Sequence, residues 1–272
     1  NEIPFFIELM NHLSKKKFNC PIPQKDKNNQ YIQKKNEKYF IIVSFLEGVW
    51  KKKITSCDCH LIGKLIGNLH NKTIDFDYFR ENSMSILGWK YLLKELKKKN
   101  LKDQIEIFNK NLLTEIDDSF NKCKNHWPKN LPKGLIHGDI FPDNVFFLSN
   151  KISGVIDFYF ACNDILMYEL AIALNAWCFD DDNNFNLKKA EMLIQGYNSE
   201  KIITKIEFNS LPLLAEGAAL RFLLTRLYDW FYTPSEAFIN KKDPMEYFNK
   251  LKFFKYEFKL NLLELECNQI GY

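Results

Sequence analysis

The sequence predicts an α+β fold: a small N-terminal part of one helix and two strands, then a mostly helical part with a single embedded β-hairpin. Three patterns carry this. Residues 2–17 have helical periodicity and lead into two short strand-like segments. From Thr55 onward nearly every apolar pattern has helical spacing. Between residues 135 and 158 the spacing shortens to β-like apolar runs around a turn signal.

In the first helix Ile3, Phe6, Ile7, Met10 and Leu13 share a face. Pro4 suits its first turn and Lys15-Lys16-Lys17 its last. Pro21 and Pro23 then break the chain. Residues 30–33 and 39–45 read as strands joined by a polar turn at Lys35-Asn36-Glu37. Ser56 is the expected cap of a helix to Leu69, with Leu61, Ile62, Leu65, Ile66 and Leu69 inward and His70 packed at its end. Further helices are expected at 82–96 and 104–122. After the hairpin they are expected at 165–179, 187–197, 211–232 and 243–265.

Composition narrows the function. With 272 residues, 46% of them hydrophobic, the chain has ample material for a packed core. A net charge of +4 with no concentrated basic arm argues against nucleic acid as a partner. No apolar run reaches the roughly 18 residues of a membrane span. Seven cysteines without framework spacing suggest free thiols and a reducing cytoplasm, and Cys57-Asp58-Cys59-His60 has no second pair to complete a metal site. Only Arg80, Arg221 and Arg226 are arginine in a chain that otherwise uses lysine, so each is a candidate for a role needing a planar fork.

Residues 135–158 read Leu-Ile-His-Gly-Asp-Ile-Phe-Pro-Asp-Asn-Val-Phe-Phe-Leu-Ser-Asn-Lys-Ile-Ser-Gly-Val-Ile-Asp-Phe. One strand ends at Ile136; others cover 145–148 and 152–156. With Asn150 and Lys151 as the loop residues, Ser149 pairs with Ile152 and Asn144 lies opposite Asp157, their Cβ atoms about 5 Å apart. An amide and a carboxylate so placed suit one hard cation such as Mg²⁺, at about 2.1 Å from each oxygen. Asp139, on the loop entering the hairpin, can face the same point. A carboxylate base beside such a site is the layout of phosphoryl transfer. The bland alternative is a buried hairpin whose Asp and Asn only cap turns, the role expected for Asp143.

His137-Gly138-Asp139, Asn144 five residues on, and Ile156-Asp157-Phe158 resemble the catalytic and metal loops of the aminoglycoside/choline phosphotransferase family. That resemblance implies a protein-kinase-like two-lobe fold, with residues 1–47 belonging to the nucleotide-binding lobe and 48–272 to the catalytic and substrate-binding lobe. It implies ATP and Mg²⁺ as cofactors, Asp139 as catalytic base, Asn144 and Asp157 as metal ligands, and Phe45-Leu46-Glu47 as the hinge that contacts adenine. It also implies a Gly-rich hairpin and a Lys strand ahead of the first helix. Because the chain opens on that helix, it is expected to be a fragment of poor turnover, with Glu2 or Glu8 as the acidic partner of that Lys.

Residues 158–164, 168–171, 175–178 and 217–230 resemble more specifically the homoserine-phosphorylating members of this superfamily. This implies L-homoserine as acceptor, in threonine biosynthesis. Glu169 stands where the family usually has Asp. Residue chemistry allows a weighing of its own. A zwitterionic hydroxy amino acid needs a carboxylate partner, which Arg221 or Arg226 suits, and an ammonium partner, which Asp164 or Asp229 suits. Arg226 and Asp229 can instead simply pair with each other. Trp177, with Tyr228, Trp230 and Tyr232, forms an aromatic set that packs helices or cages a cation. Competing readings are a choline or aminoglycoside acceptor and an inactive kinase-like binding module.

Overall fold

The computed structural model describes residues 2–234 and 241–263. Helix α1 (Ile3–Lys15) carries Pro4 in its first turn and buries Phe5, Phe6, Ile7, Leu9, Met10 and Leu13. The sheet beside it has three strands where the sequence suggests two. They are β1 (Pro23–Gln24), β2 (Ile32–Lys35) and β3 (Lys38–Val43), antiparallel in the order β1-β3-β2. β1 is only two residues long and begins with a proline, so it has no alternation to betray it. Asn36 and Glu37 both take positive φ, 49° and 60°, the twist that a two-residue hairpin turn requires.

Helix α2 (Ser56–Lys72) is capped by Thr55, not Ser56. Asp58 decides this: its carboxylate accepts from the Thr55 N–H at 2.9 Å while the Thr55 hydroxyl oxygen accepts from the Asp58 N–H at 3.3 Å, a reciprocal capping box. α2 crosses α7 (Leu187–Glu200) at backbone contact. A Cβ on Gly63 would meet Leu193 O at 2.0 Å, and one on Gly196 would meet His60 O at 2.0 Å. His70 is buried against the Tyr197 hydroxyl at 2.9 Å, and burial pushes its pKa down to about 3, so it packs as a neutral ring.

Helices α3 (Ile86–Leu96), α4 (Lys99–Phe108) and α5 (Leu112–His126) follow. The expected helix over 104–122 is therefore divided, with Asn109 leaving helical geometry between two amphipathic segments. α6 (Leu166–Trp177) is buried nearly all round, which is why it shows little amphipathic pattern. α8 (Lys205–Tyr232) starts six residues before expectation, because a Thr204–Glu207 capping box opens it and Pro212 is accommodated within it. α9 (Pro244–Lys252) ends earlier than the expected helix. Wider turns over Phe253–Glu257 replace it, and positions 264 and 265 lie outside the described residues.

The hairpin is β5 (Val145–Leu148) and β6 (Lys151–Val155), in a register that differs from the expected one. Ser149 takes the left-handed position, φ 55°, so the loop is Ser149-Asn150 and Leu148 pairs with Lys151. A bulge then skips Ser153. As a result Asn144 faces Ile156, whose N–H donates to Asn144 O at 3.0 Å, and Asp157 lies one residue beyond the ladder. β4 (Lys133–Ile136) pairs with β7 (Cys162–Ile165), a strand whose Cys-Asn-Asp-Ile sequence carries no β signal.

Candidate active site

The loop after β4 is held from beneath by side chains of α6 and α8. His137 is fully buried; its Nδ1 accepts the Asp139 N–H at 3.2 Å, which leaves Nε2–H to donate to Ile156 O at 3.0 Å. Burial lowers its pKa to about 4, so the ring is a neutral strut between loop and hairpin. The carboxylate of Glu169 accepts the backbone N–H groups of His137 and of Gly138, the latter at 3.1 Å. Burial raises the Glu169 pKa to about 7 against those N–H donors. The Trp177 indole N–H donates to Ile140 O at 2.8 Å, and Arg221 Nη1 donates to Gly138 O at 2.6 Å. Gly138 has φ 77°, and a Cβ there would lie 2.9 Å from Phe160 O, so this position requires glycine.

That frame presents Asp139. Its pKa is raised to about 6, first by burial, with Asp157 and Asp143 adding to the rise and Arg221 opposing it. Asn144 Nδ2 donates to both Asp139 O (2.9 Å) and Asp139 Oδ2 (3.0 Å). The amide is thereby oriented, and its Oδ1 accepts no hydrogen bond among the described residues. Asp157 sits at φ 63°, ψ 64°, a left-handed conformation that turns it off the strand. Its carboxylate has no side-chain partner among the described residues and walls a cavity of about 430 Å³. One amide oxygen and one free carboxylate are hard donors of the kind Mg²⁺ takes when phosphates and water complete its shell, so these residues fit the ion.

The cavity lies between the small sheet and the hairpin. Met10, Ile41, Val43, Leu46, Phe146 and Ile156 make its apolar walls, and Phe45 also lines it. Of the three expected hinge residues, Phe45 and Leu46 are at the cavity and Glu47 is not among its lining. Val49 pairs with Phe147, which fixes the chain leaving the hinge to the catalytic hairpin. Glu2 forms an ion pair with Arg80 at 2.6 Å, and Arg80 also donates to Ala161 O at 3.0 Å, so α1 is tied to the segment after Asp157.

The five expected substrate residues separate. Arg221 lies beside the loop, buried between Phe160 and Phe222. Arg226 pairs with Glu246 at 2.7 Å, not with Asp229, and stacks on Tyr247. Asp229 is exposed near the end of α8, and its backbone carbonyl accepts the Thr233 N–H. Asp164 accepts from Asn82 at 2.6 Å and opens on a second cavity with Trp89, Trp127 and Tyr168. Trp177 is buried under the loop, and it makes no cage with the other three aromatics. Tyr228 stacks on Tyr232 while Trp230 packs on Phe108. Sequence reasoning missed Lys242, which acts electrostatically on Asp139 from about 100 residues downstream, and Tyr247, which packs against Phe141 of the same loop.

A site with this geometry can orient a hydroxyl at a carboxylate base and hold a metal-bound phosphate beside it. Residues 1–202 match the model of the phosphotransferase enzyme family. A homoserine kinase of Agrobacterium fabrum is 44% identical over 94% of this chain and 78% of its own length. A homoserine kinase of a Chelativorans species shows the same identity and the same coverage. The chain belongs to the phosphotransferase enzyme family, among its homoserine kinases. Like that family it is an ATP-dependent phosphotransferase acting on an alcohol. Its fold is also that of an amicoumacin kinase solved with AMP-PNP and Ca²⁺, with a TM-score of 0.71 at 12% identity over 98% of this chain and 80% of the other. Among the described residues no helix is long and apolar enough to cross a membrane.

Proposed function

We propose that the protein transfers the γ-phosphate of ATP to the side-chain hydroxyl of L-homoserine, with residues 1–47 contributing to nucleotide binding and 48–272 to catalysis and acceptor binding. The observation that carries the reading is the Asp139–Asn144 hydrogen bond at 3.0 Å, joined through the catalytic hairpin to a nucleotide-sized cavity walled by Asp157 and Leu46. The 41–44% identity to homoserine kinases supports the acceptor.

Asp139 is the general base. A carboxyl with a pKa of about 6 is ionised at neutral pH yet basic enough to take the proton of an alcohol as its oxygen approaches phosphorus. Asn144 fixes the carboxylate rotamer. Glu169, Trp177 and Arg221 hold the loop backbone, so the base loses little positional freedom before reaction. Phe45 and Leu46, with the apolar walls, accept the adenine. Asn144 Oδ1 and the Asp157 carboxylate would hold Mg²⁺, which when bound supplies charge neutralisation on the phosphates.

Incubation of the full-length protein with ATP, Mg²⁺ and L-homoserine, followed by ³¹P NMR, tests this. A new phosphomonoester resonance matching ADP one to one is expected. ADP formation without a phosphomonoester would overturn the assignment.

A further inference from the structure

We propose that Asp143 and Lys242 read the zwitterionic head of the acceptor, Asp143 taking its ammonium and Lys242 its carboxylate. The inference rests on the acceptor reading above and assigns that reading its recognition residues. In this structure the two side chains pair with each other, Lys242 Nζ to Asp143 Oδ2 at 3.2 Å. Both belong to the catalytic centre electrostatically: Asp143 pushes the Asp139 pKa up and Lys242 pulls it down.

The placement of Lys242 is built from both sides. Lys241 Nζ donates to Trp230 O at 2.8 Å and to Thr233 O at 2.9 Å, closing the C-terminal end of α8. Asp243 caps α9 through the Met245 N–H at 2.8 Å, and its carbonyl accepts Arg226 Nη1 at 2.8 Å. The backbone of Lys242 is therefore anchored on both sides, and its ammonium lies 5.6 Å from the Phe141 ring centre. Asp143 is fixed just as firmly, in the turn that delivers Asn144.

Several other charges nearby are committed. Arg226 is bound to Glu246, Glu169 to the loop N–H groups, and Arg221 to Gly138 O. The Asp143–Lys242 pair stays free to exchange, with side chains 52% and 59% exposed. Exposed pairs of this kind contribute little to stability, so a ligand that offers each charge a partner replaces the pair at small cost. Beneath it Phe141, Phe222 and Tyr247 pack with ring centres 4.8 and 5.3 Å apart, and Phe141, the partly exposed ring of the three, offers an apolar face to the acceptor's methylenes. A quaternary ammonium alcohol would satisfy Asp143 and leave Lys242 facing its positive charge, so the pair selects against choline.

The test is steady-state kinetics of full-length wild type, Asp143→Asn and Lys242→Gln. The acceptors are L-homoserine, 3-amino-1-propanol (no carboxylate) and 4-hydroxybutanoate (no ammonium). For homoserine each variant is expected to raise KM about 10- to 50-fold, with the loss in KM rather than kcat and the KM for ATP unmoved. The penalty of Lys242→Gln should vanish with 3-amino-1-propanol, and that of Asp143→Asn with 4-hydroxybutanoate, each read from kcat/KM or from Ki as a competitor. A homoserine KM indifferent to both substitutions, or equal losses with all three acceptors, would overturn this inference alone. A wild type without homoserine turnover would overturn the acceptor reading as well. Unchanged thermal midpoints confirm that the variants fold.

Discussion

Replacing Asp139 by Asn removes the proton acceptor but keeps the shape, and the Asn144 amide can still donate to the oxygen that remains at 3.0 Å. Two effects follow, of opposite sign. Without the base, kcat should fall about 10²- to 10⁴-fold with nucleotide binding nearly unchanged. Stability, however, should rise. The carboxyl goes from its ordinary 3.8 to about 6, because burial disfavours the ionised form. At about 1.4 kcal/mol for each tenfold change in proton affinity, that costs the ionised state on the order of 3 kcal/mol, and solvent still reaching the group brings it to about 1–2. The sign follows from linkage: between pH 4 and pH 6 the folded state holds the proton more tightly than the unfolded one, so wild-type stability falls as pH rises through that window. The Asn variant does not share that fall. Circular dichroism melts should therefore show little difference between the two near pH 4, and a variant about 2–8 °C more stable at pH 7.5. Near-wild-type turnover, or a variant destabilised equally at both pH values, would refute the reasoning.

Further expectations concern the groups that hold the loop and the cavity. The acid limb of kcat/KM should lie near pH 6, and Arg221→Met, by removing a cation that lowers the Asp139 pKa, should move it upward in a pH–rate profile. Glu169→Ala strands two buried N–H donors and should cost about 2–4 kcal/mol in urea unfolding as well as lowering kcat at least about tenfold. Gly138→Ala, strained by φ 77° and by Phe160 O, should destabilise by about 1–3 kcal/mol in the same assay. Val43→Trp should fill the 430 Å³ cavity and weaken fluorescent ADP analogue binding about tenfold or more while leaving the melt unchanged.

The closeness of Asp139 and Asn144 was legible because it is local. Asp139 and Asn144 are five residues apart on one loop, and their hydrogen bond needs nothing from elsewhere. The relation of Asn144 to Asp157 was misread by one pairing. Register depends on whether Ser149 or Lys151 occupies the turn and on a bulge at Ser153, and both are settled by packing, not by residue type. β7 was invisible because its pairing with β4 comes from tertiary position, with Arg80 O and Asn163 N–H completing the edge at 2.7 Å. The scarcity of arginine proved a sound guide. Arg80, Arg221 and Arg226 each bind a backbone carbonyl and stack on an aromatic ring, the work of a planar fork. Its limit was partner choice. Arg226 has Asp229 three residues along its own helix and takes Glu246 from α9 instead, a contact that sequence spacing cannot show.

The most direct test of the central claim is the ratio of kcat/KM values for competing acceptors, measured on the full-length protein with ATP and Mg²⁺ at pH 7.5. L-Homoserine, L-serine, choline and an aminoglycoside should be run side by side in a coupled ADP assay. If Asp139 is the base and the Asp143–Lys242 pair receives the zwitterion, as proposed above, L-homoserine should be favoured over choline and the aminoglycoside by at least about 10²-fold. Equal or greater efficiency with choline or the aminoglycoside would contradict it.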